Sequence, residues 1–351
     1  MTIEPNKEEQ FEEQPEEPNV KGYKVVCAKL GLVMCVYFIC RFVSAIITGL
    51  AFRSAPADLS QTMQYAIGMS VAIIVVYIIP MLFTARIFNS FSYYNILSKE
   101  TRAMYKKPKR LARAMGTFPA MYGLGYGIAL LTMLAAFLIS RATGGQTLIE
   151  EMLRPTVLEP TTSIASAVMM VFMLVIIAPI FEEIWVRGIM YDALKPYGHG
   201  IAILITSILF GLMHGSLNML FYTTALGFAL GYVRYATNSI LVVTLLHAII
   251  NAIAAGLLFI MALVEITGEY NRLINTIQNI YILAVLALVV VGIIAFIKKI
   301  PTIRKYRIEK TWQEISPKRK AALFFLSIPV IIMLVLAFNE ITQFWAIGLL
   351  I

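Results

Sequence analysis

The sequence predicts an all-α protein, a polytopic membrane helix bundle of about eight to nine transmembrane helices. Of its 351 residues, 59% are hydrophobic and 14% are charged, and the mean hydropathy of +0.79 is too high for a soluble domain. Apolar runs of about 20 residues recur along the chain, long enough for a helix to cross a hydrocarbon core of ~30 Å. These runs do not alternate apolar with polar residues, so helices are predicted rather than the strands of an outer-membrane barrel.

The chain begins with an acidic segment that we expect to be a disordered cytoplasmic tail over residues 1–22. Its first 20 residues contain seven Glu, one Lys and three Pro, and almost nothing apolar that could be buried. They lack the basic start, apolar core and cleavage site of a secretory signal. Helices are then predicted near residues 25–51, 64–87, 117–140, 163–195, 200–214, 219–236, 239–264, 278–297 and 322–350.

The predicted helices fall into three groups along the chain. Residues 23–160 hold the N-terminal helices, 161–264 the membrane core that carries the candidate site, and 265–351 the C-terminal helices. All three cysteines, Cys27, Cys35 and Cys40, lie in the first apolar run, with no C-x-x-C pair and no histidine nearby. A disulfide framework or a thiolate metal site is therefore not expected.

The positive charge of the chain is concentrated in two loops that flank membrane segments. The loop 86–113 has eight Lys or Arg against one Glu, and the loop 298–320 has nine basic residues against two Glu. Both are predicted to be cytoplasmic, with the N-terminus inside and the C-terminus outside. The net charge of +9 thus indicates membrane topology and lipid head groups as partners, and not nucleic acid. We expect a multi-pass protein of a bacterial cytoplasmic membrane.

Two adjacent carboxylates, Glu182 and Glu183, stand in the predicted helix 163–195 after an uninterrupted apolar run. A charged side chain at membrane depth costs roughly 2.5 to 3.5 kcal/mol, so their presence points to a function. Glu183 and Arg187 are four residues apart, a spacing that favours an intrahelical ion pair. Glu182 points about 100° away from Glu183 and is free for chemistry. Pro179 lacks a backbone N–H, so a kink or loosened turn is expected beside Glu182.

Two further predicted helices carry imidazoles. The motifs Phe210-x-x-x-His214 and His247-x-x-x-Asn251 each place two groups on one helix face. The remaining histidine, His199, lies in a glycine-rich turn and is interpreted as incidental. Taken singly, each intramembrane histidine is better explained as a hydrogen-bonded helix contact.

The turn at Gly198 brings the first two motifs to the same depth. Glu182 and His214 are each sixteen residues from Gly198, so antiparallel helices joined there let the two side chains meet. The depth of His247 relative to Glu182 is left open, because it depends on how far the helix 163–195 projects into the cytoplasm. Together, a carboxylate, two imidazoles and a carboxamide in a wet pocket can activate water and stabilise the oxyanion of amide hydrolysis.

Three motifs resemble, in order and spacing, those of the CAAX protease and bacteriocin-processing (CPBP) family of intramembrane endopeptidases: Glu182-Glu183-x-x-x-Arg187, Phe210-x-x-x-His214 and His247-x-x-x-Asn251. The resemblance covers about residues 160–255. It implies that Glu182 and His214 activate the attacking water and that His247 and Asn251 support the site or its oxyanion. Relatives in this family cleave prenylated C-terminal CAAX sequences or act in bacteriocin maturation, self-immunity and peptide signalling. The sequence does not select among these substrates.

Two mechanisms remain open at this site. In one, Glu182, His214 and His247 form a His₂Glu zinc site with a fourth position open for water. No H-E-x-x-H is present, however, and the base would then have to be Glu183, which is already committed to Arg187. In the other, Glu182 is the base, His214 orients the water, and the second imidazole and the carboxamide face the oxyanion. We favour the second mechanism.

Two other functions compete with an endopeptidase acting on a membrane-associated or lipidated peptide or protein. A non-proteolytic member of the family would use the fold as a membrane scaffold that regulates a partner protein, and the complete motif set weighs against it. A proton-coupled transporter would also place Glu and His inside the membrane. Such a transporter is expected to show inverted repeats or paired broken helices, and no convincing internal duplication is present.

Overall fold

The computed structural model describes residues 18–54, 60–90, 105, 111–143, 163–267, 271–305, 312 and 314–342. Within these residues all regular secondary structure is helical and no strand occurs, so the all-α class is confirmed. Most of the predicted acidic tail 1–22, and much of the basic loops 86–113 and 298–320, lie outside the described residues. The helices are α1 (Val20–Arg53), α2 (Thr62–Ile87), α3 (Leu111–Thr143), α4 (Ile164–Tyr197), α5 (His199–Met213), α6 (Leu217–Thr237), α7 (Ile240–Thr267), α8 (Arg272–Lys305), α9 (Pro317–Phe325) and α10 (Ile328–Thr342).

Six of the described helices are long and apolar enough to cross a membrane, namely α1, α2, α3, α4, α7 and α8. Helices α9 and α10 meet at an angle of 68° and together make a seventh candidate. The protein is therefore a multi-pass integral membrane protein, but the predicted count of eight to nine spans is not confirmed. Helix α5 has 15 residues and is only ~22 Å long, short of a hydrocarbon core of ~30 Å. Helix α6 is not among the six candidates, because tyrosine, threonine and arginine interrupt its apolar run.

Helices α5 and α6 form a close hairpin against the middle of the bundle. A Cβ atom added to Gly227 of α6 would lie 3.1 Å from the Cα atom of Ser207 in α5. One turn later, a Cβ atom at Gly231 would lie 3.1 Å from a methyl group of Ile203. These glycines let the two backbones approach closely, as small residues do in membrane helix pairs.

The second half of helix α4, residues 185–191, lies in the interior of the bundle. Its Trp185 is buried, donates a hydrogen bond of 2.8 Å from Nε1 to Oγ1 of Thr84 in α2, and packs its ring 5.2 Å from that of Tyr37 in α1. Large aliphatic side chains on other helices point outward, for example Leu131 of α3 and Leu283 of α8. In a bilayer these outer faces contact lipid, whereas the polar groups of α4 are enclosed by neighbouring helices.

Candidate active site

Helix α4 departs from regular α-helical geometry on both sides of its two acids. Wider, π-helical turns cover Met173–Ile177 and Ile184–Met190, and a short α-helical segment, Ala178–Glu183, lies between them. Pro179 is at the start of this segment and has no N–H to close the preceding turn. The loosened turn predicted from Pro179 is thus present. Such π turns within α-helices occur frequently at functional sites.

The two adjacent acids have different partners. Glu183 is fully buried, and its Oε1 accepts a hydrogen bond of 2.9 Å from Nη1 of Arg187. The ion pair predicted from the spacing of these residues is therefore present. Arg187 is buried as well, and its Nη2 donates to the carbonyl oxygen of Gly227 at 3.3 Å. Its guanidinium carbon lies 4.0 Å from the centre of the Phe210 ring.

Glu182 points away from this pair into a cavity of 460 Å³. Its Oε1 accepts a hydrogen bond of 3.2 Å from the hydroxyl of Tyr77 in α2. Its Oε2 is buried and has no hydrogen-bond partner among the described residues. His214, at the end of α5, and Asn251, in α7, line the same cavity. The hairpin at Gly198 thus brings Glu182 and His214 to one cavity, as the sequence predicted.

The two intramembrane histidines are held by their Nδ1 atoms. Nδ1 of His247 lies 2.8 Å from Oε1 of Glu183, and Nδ1 of His214 lies 2.8 Å from the carbonyl oxygen of Phe210. Both partners are acceptors, so we assign the proton of each neutral ring to Nδ1 and leave Nε2 as an acceptor. Nε2 of His247 lies 4.0 Å from Oε2 of Glu182. The sequence left open the depth of His247 in the bundle. The structure places it at the same depth as Glu182 and Glu183.

The ring of Phe210 contacts the guanidinium of Arg187 and both intramembrane imidazoles. Its ring meets the ring of His214 edge-on at 4.9 Å between centroids and the ring of His247 edge-on at 5.6 Å. With Arg187 stacked on it, the ring contacts three of the seven predicted site residues. Six of the seven are joined by direct contacts, and Asn251 lines the same cavity as Glu182 and His214.

Asn251 of α7 donates a hydrogen bond to a backbone carbonyl of α4 that Pro179 leaves without a helical donor. In the wide turn, the N–H of Ala178 bonds to the carbonyl of Met173, five residues earlier. The next residue is Pro179, which has no N–H for the carbonyl of Leu174. Nδ2 of Asn251 donates to that carbonyl at 2.9 Å. One N–H of the carboxamide is used in this way, and the other remains for a ligand in the cavity.

Several cavity residues were not found by the sequence analysis. Tyr37 and Arg41 of α1 and Tyr77 of α2 line the cavity, and Arg41 forms an ion pair of 2.5 Å with Glu340 of α10. Arg41 and Glu340 did leave a signal, because each is an isolated charge within an apolar run. Tyr77 left none, since a tyrosine in an apolar helix is common at membrane interfaces.

The donor groups suit a zinc ion in kind but not in arrangement. Two Nε2 atoms and a carboxylate oxygen are a known ligand set, and the acceptors on both Nδ1 atoms are typical outer-shell partners. Within the part of the chain that the structure describes, however, no three His, Cys, Asp or Glu side chains are grouped closely enough to hold a metal ion.

Residues 164–253 match the model of a protein family described as type II CAAX prenyl endopeptidase Rce1-like. This segment contains all three motifs, and the match agrees with the resemblance found in the sequence. At the level of the family, it indicates a CAAX-type intramembrane protease. The chain matches none of the curated proteins and none of the solved structures with which it was compared.

Proposed function

We infer that this chain, which matches the type II CAAX prenyl endopeptidase Rce1-like family over residues 164–253, is an intramembrane endopeptidase. Its substrate is a membrane-associated or lipidated peptide or protein. The observation that carries this proposal is that Glu182, His214 and Asn251 line one cavity. Oε2 of Glu182 has no hydrogen-bond partner among the described residues, which is costly for a buried carboxylate. A small rotation of the side chain would turn this oxygen towards a water in the cavity.

The arrangement supports water activation by Glu182 and His214. A water between them would donate one hydrogen to Oε2 of Glu182 and the other to Nε2 of His214, both of which are acceptors. Glu182 removes a proton as the water oxygen attacks the carbonyl carbon of the peptide bond. It then delivers this proton to the leaving nitrogen as the C–N bond breaks. The amine leaves neutral and Glu182 is again a carboxylate.

The neighbouring groups support the charge changes of this reaction. The free N–H of Asn251 can donate to the oxyanion that forms on the carbonyl oxygen. The hydroxyl of Tyr77 holds the other carboxylate oxygen of Glu182 at 3.2 Å. His247 lies beside both acids, with Nδ1 2.8 Å from Oε1 of Glu183 and Nε2 4.0 Å from Oε2 of Glu182. Its role in this mechanism is to hold the buried carboxylate of Glu183 through Nδ1–H, because its Nε2 is an acceptor and makes no bond to the carboxylate of Glu182.

A comparison of membrane-associated peptides tests the proposed activity. Cells carrying the wild type, Glu182→Ala and His214→Ala are compared under several growth conditions by mass spectrometry. We expect peptides that the wild type produces and that both variants lack. His199→Ala is the matched control, because His199 lies outside the cavity and its Nδ1 bonds to the hydroxyl of Tyr191 at 2.8 Å. It is expected to give the wild-type peptide set.

An identical peptide set in all four strains would contradict the proposal. It would favour the non-proteolytic scaffold, in which the same cluster only stabilises the bundle. In that case the partner protein would be sought by cross-linking in the wild type and in Glu182→Ala, and equal partner capture by both would complete the scaffold assignment.

A further inference from the structure

The loop that carries His214 is fixed by helices outside the family segment 164–253. Helix α5 ends at Met213, where the last carbonyl groups have no partner within the helix. Among apolar helices such a carbonyl must find a donor from elsewhere in the protein. The carbonyl of Met213 has two donors in α1: Nη1 of Arg41 at 2.9 Å and the hydroxyl of Tyr37 at 3.0 Å.

The charge of Arg41 is balanced by α10. Nη2 of Arg41 lies 2.5 Å from Oε1 of Glu340, and the two side chains are 31% and 23% exposed. Each is a lone charge in an apolar helix, where an opposite charge is the usual compensation. The guanidinium thus joins α1, α10 and the end of α5.

The other side of the loop packs against the same ion pair. Gly215 has a φ of +63°, and a Cβ atom there would lie 2.9 Å from Nη2 of Arg41. His214 is therefore held between a carbonyl that binds Arg41 and a glycine that rests on the pair. Among the described residues, its own ring has one hydrogen bond, to the carbonyl of Phe210. The direction of Nε2 into the cavity depends on the position of this backbone.

We propose that the Arg41–Glu340 pair positions His214, so that the active site requires α1 and α10 as well as the segment 164–253. This inference rests on the proposed function only in that His214 acts on the attacking water. Arg41 acts through the carbonyl of Met213 and is a positioning residue. It also lines the cavity, but its charge is already paired with that of Glu340. This pairing favours a positioning role over direct binding of an anionic substrate group.

The test compares four variants of the full chain, purified in lipid nanodiscs: Arg41→Met, Arg41→Lys, Glu340→Gln and the control Arg53→Met. Arg53 is exposed in the last turn of α1. One measurement is kcat and KM on a peptide identified by the comparison above. The other is amide hydrogen exchange of residues 212–218, which does not depend on proteolysis.

Arg41→Met is expected to lower kcat on the order of 10- to 100-fold, because misplacing a catalytic group by about 1 Å has effects of this size. KM stays near the wild-type value, and exchange of residues 212–218 becomes faster. Arg41→Lys, which keeps a charge and a donor, recovers part of kcat. Glu340→Gln lowers kcat without changing KM. Arg53→Met behaves as the wild type.

Three results would overturn the proposal. A raised KM with unchanged kcat in Arg41→Met, or a lowered KM in Glu340→Gln, would mean that Arg41 binds substrate directly. Unchanged exchange of residues 212–218 in both variants would mean that the pair does not fix the loop. If Arg41→Met does not fold, Arg41→Lys and Glu340→Gln make the same comparison. If the wild type cleaves nothing, the proposed function fails, and exchange alone decides whether the pair fixes the loop.

Discussion

Glu182 and Glu183 are adjacent in the chain but meet different surroundings, because successive residues of a helix point about 100° apart. Glu183 faces Arg187 and His247, at 2.9 and 2.8 Å, and has no exposed surface. Glu182 faces the cavity and contacts Tyr77. One acid is therefore expected to hold the structure and the other to perform the chemistry.

Conservative substitutions should separate these two roles. Glu182→Gln is expected to abolish turnover and leave the unfolding temperature close to the wild-type value, because its partner Tyr77 can still donate to an amide oxygen. Glu183→Gln leaves Arg187 buried without an anion, and breaking such a pair typically costs about 3–5 kcal/mol. Thermal unfolding and cleavage rates of the purified variants test this assignment. Full activity in Glu182→Gln would refute it.

The requirement for zinc is tested by measuring the zinc content of the purified protein, and not by inhibition with chelators alone. In the proposed mechanism Glu182 and His214 activate water without a metal, so the purified protein is expected to cleave while holding well under one zinc per chain. Elemental analysis and cleavage assays of the same preparation measure this. Three results together would establish a metalloprotease instead. The protein would hold one zinc per chain, its activity would be lost when zinc is removed and regained when zinc is returned, and both His214→Ala and His247→Ala would lose the zinc.

Helix α4 is irregular where it carries the site, and α7 compensates for the irregularity. Pro179 leaves the carbonyl of Leu174 without a helical donor, and Asn251 supplies one from α7. The hydrogen bond from Asn251 thus replaces the one that Pro179 cannot make and joins α7 to α4. Asn251 is expected to contribute to stability through this bond in addition to any contact with the oxyanion.

A double-mutant cycle on Pro179 and Asn251 tests the link. Asn251→Leu leaves the Leu174 carbonyl unpaired and is expected to destabilise the protein by about 1–3 kcal/mol. In Pro179→Ala a backbone N–H becomes available to the Leu174 carbonyl. In that background, Asn251→Leu should therefore lower the free energy of unfolding by less than it does in the wild type. Free energies of unfolding of the wild type, the two single variants and the double variant give the coupling energy. Strictly additive effects would show that Asn251 does not serve the orphaned carbonyl.

At the scale of the whole molecule, we predict that the two basic loops, 86–113 and 298–320, lie on one side of the membrane. Four candidate spans, α3, α4, α7 and α8, lie between these loops. The α5–α6 hairpin turns back on itself through close contacts at Gly227 and Gly231. It therefore returns to the side it left, whether or not its tip crosses the membrane. The reduced number of spans leaves the predicted sidedness unchanged.

Cysteine labelling in intact cells tests this sidedness. A single cysteine at Lys107 or Lys310 is expected to be protected from a membrane-impermeant thiol reagent, because positively charged loops remain in the cytoplasm. A cysteine at Gly268, between α7 and α8, should be labelled and serves as the control. The background replaces Cys27, Cys35 and Cys40 by alanine; these are buried in α1, so its stability is verified first. Labelling of Lys107→Cys and Lys310→Cys from outside would invert the topology.

The sequence by itself determined the membrane class, the all-α fold, the three motifs and the Glu183–Arg187 pair. These features depend on local properties: the length of apolar runs and the angular period of one helix. Only the tertiary structure decided that α5 and α6 form a short hairpin, that Tyr77 and Arg41 line the cavity and that Glu340 pairs with Arg41. Tyr77 and Glu182 are 105 residues apart, and their contact depends on how α2 packs against α4. The spacing of residues within a helix carries no information on which neighbouring helix will face them.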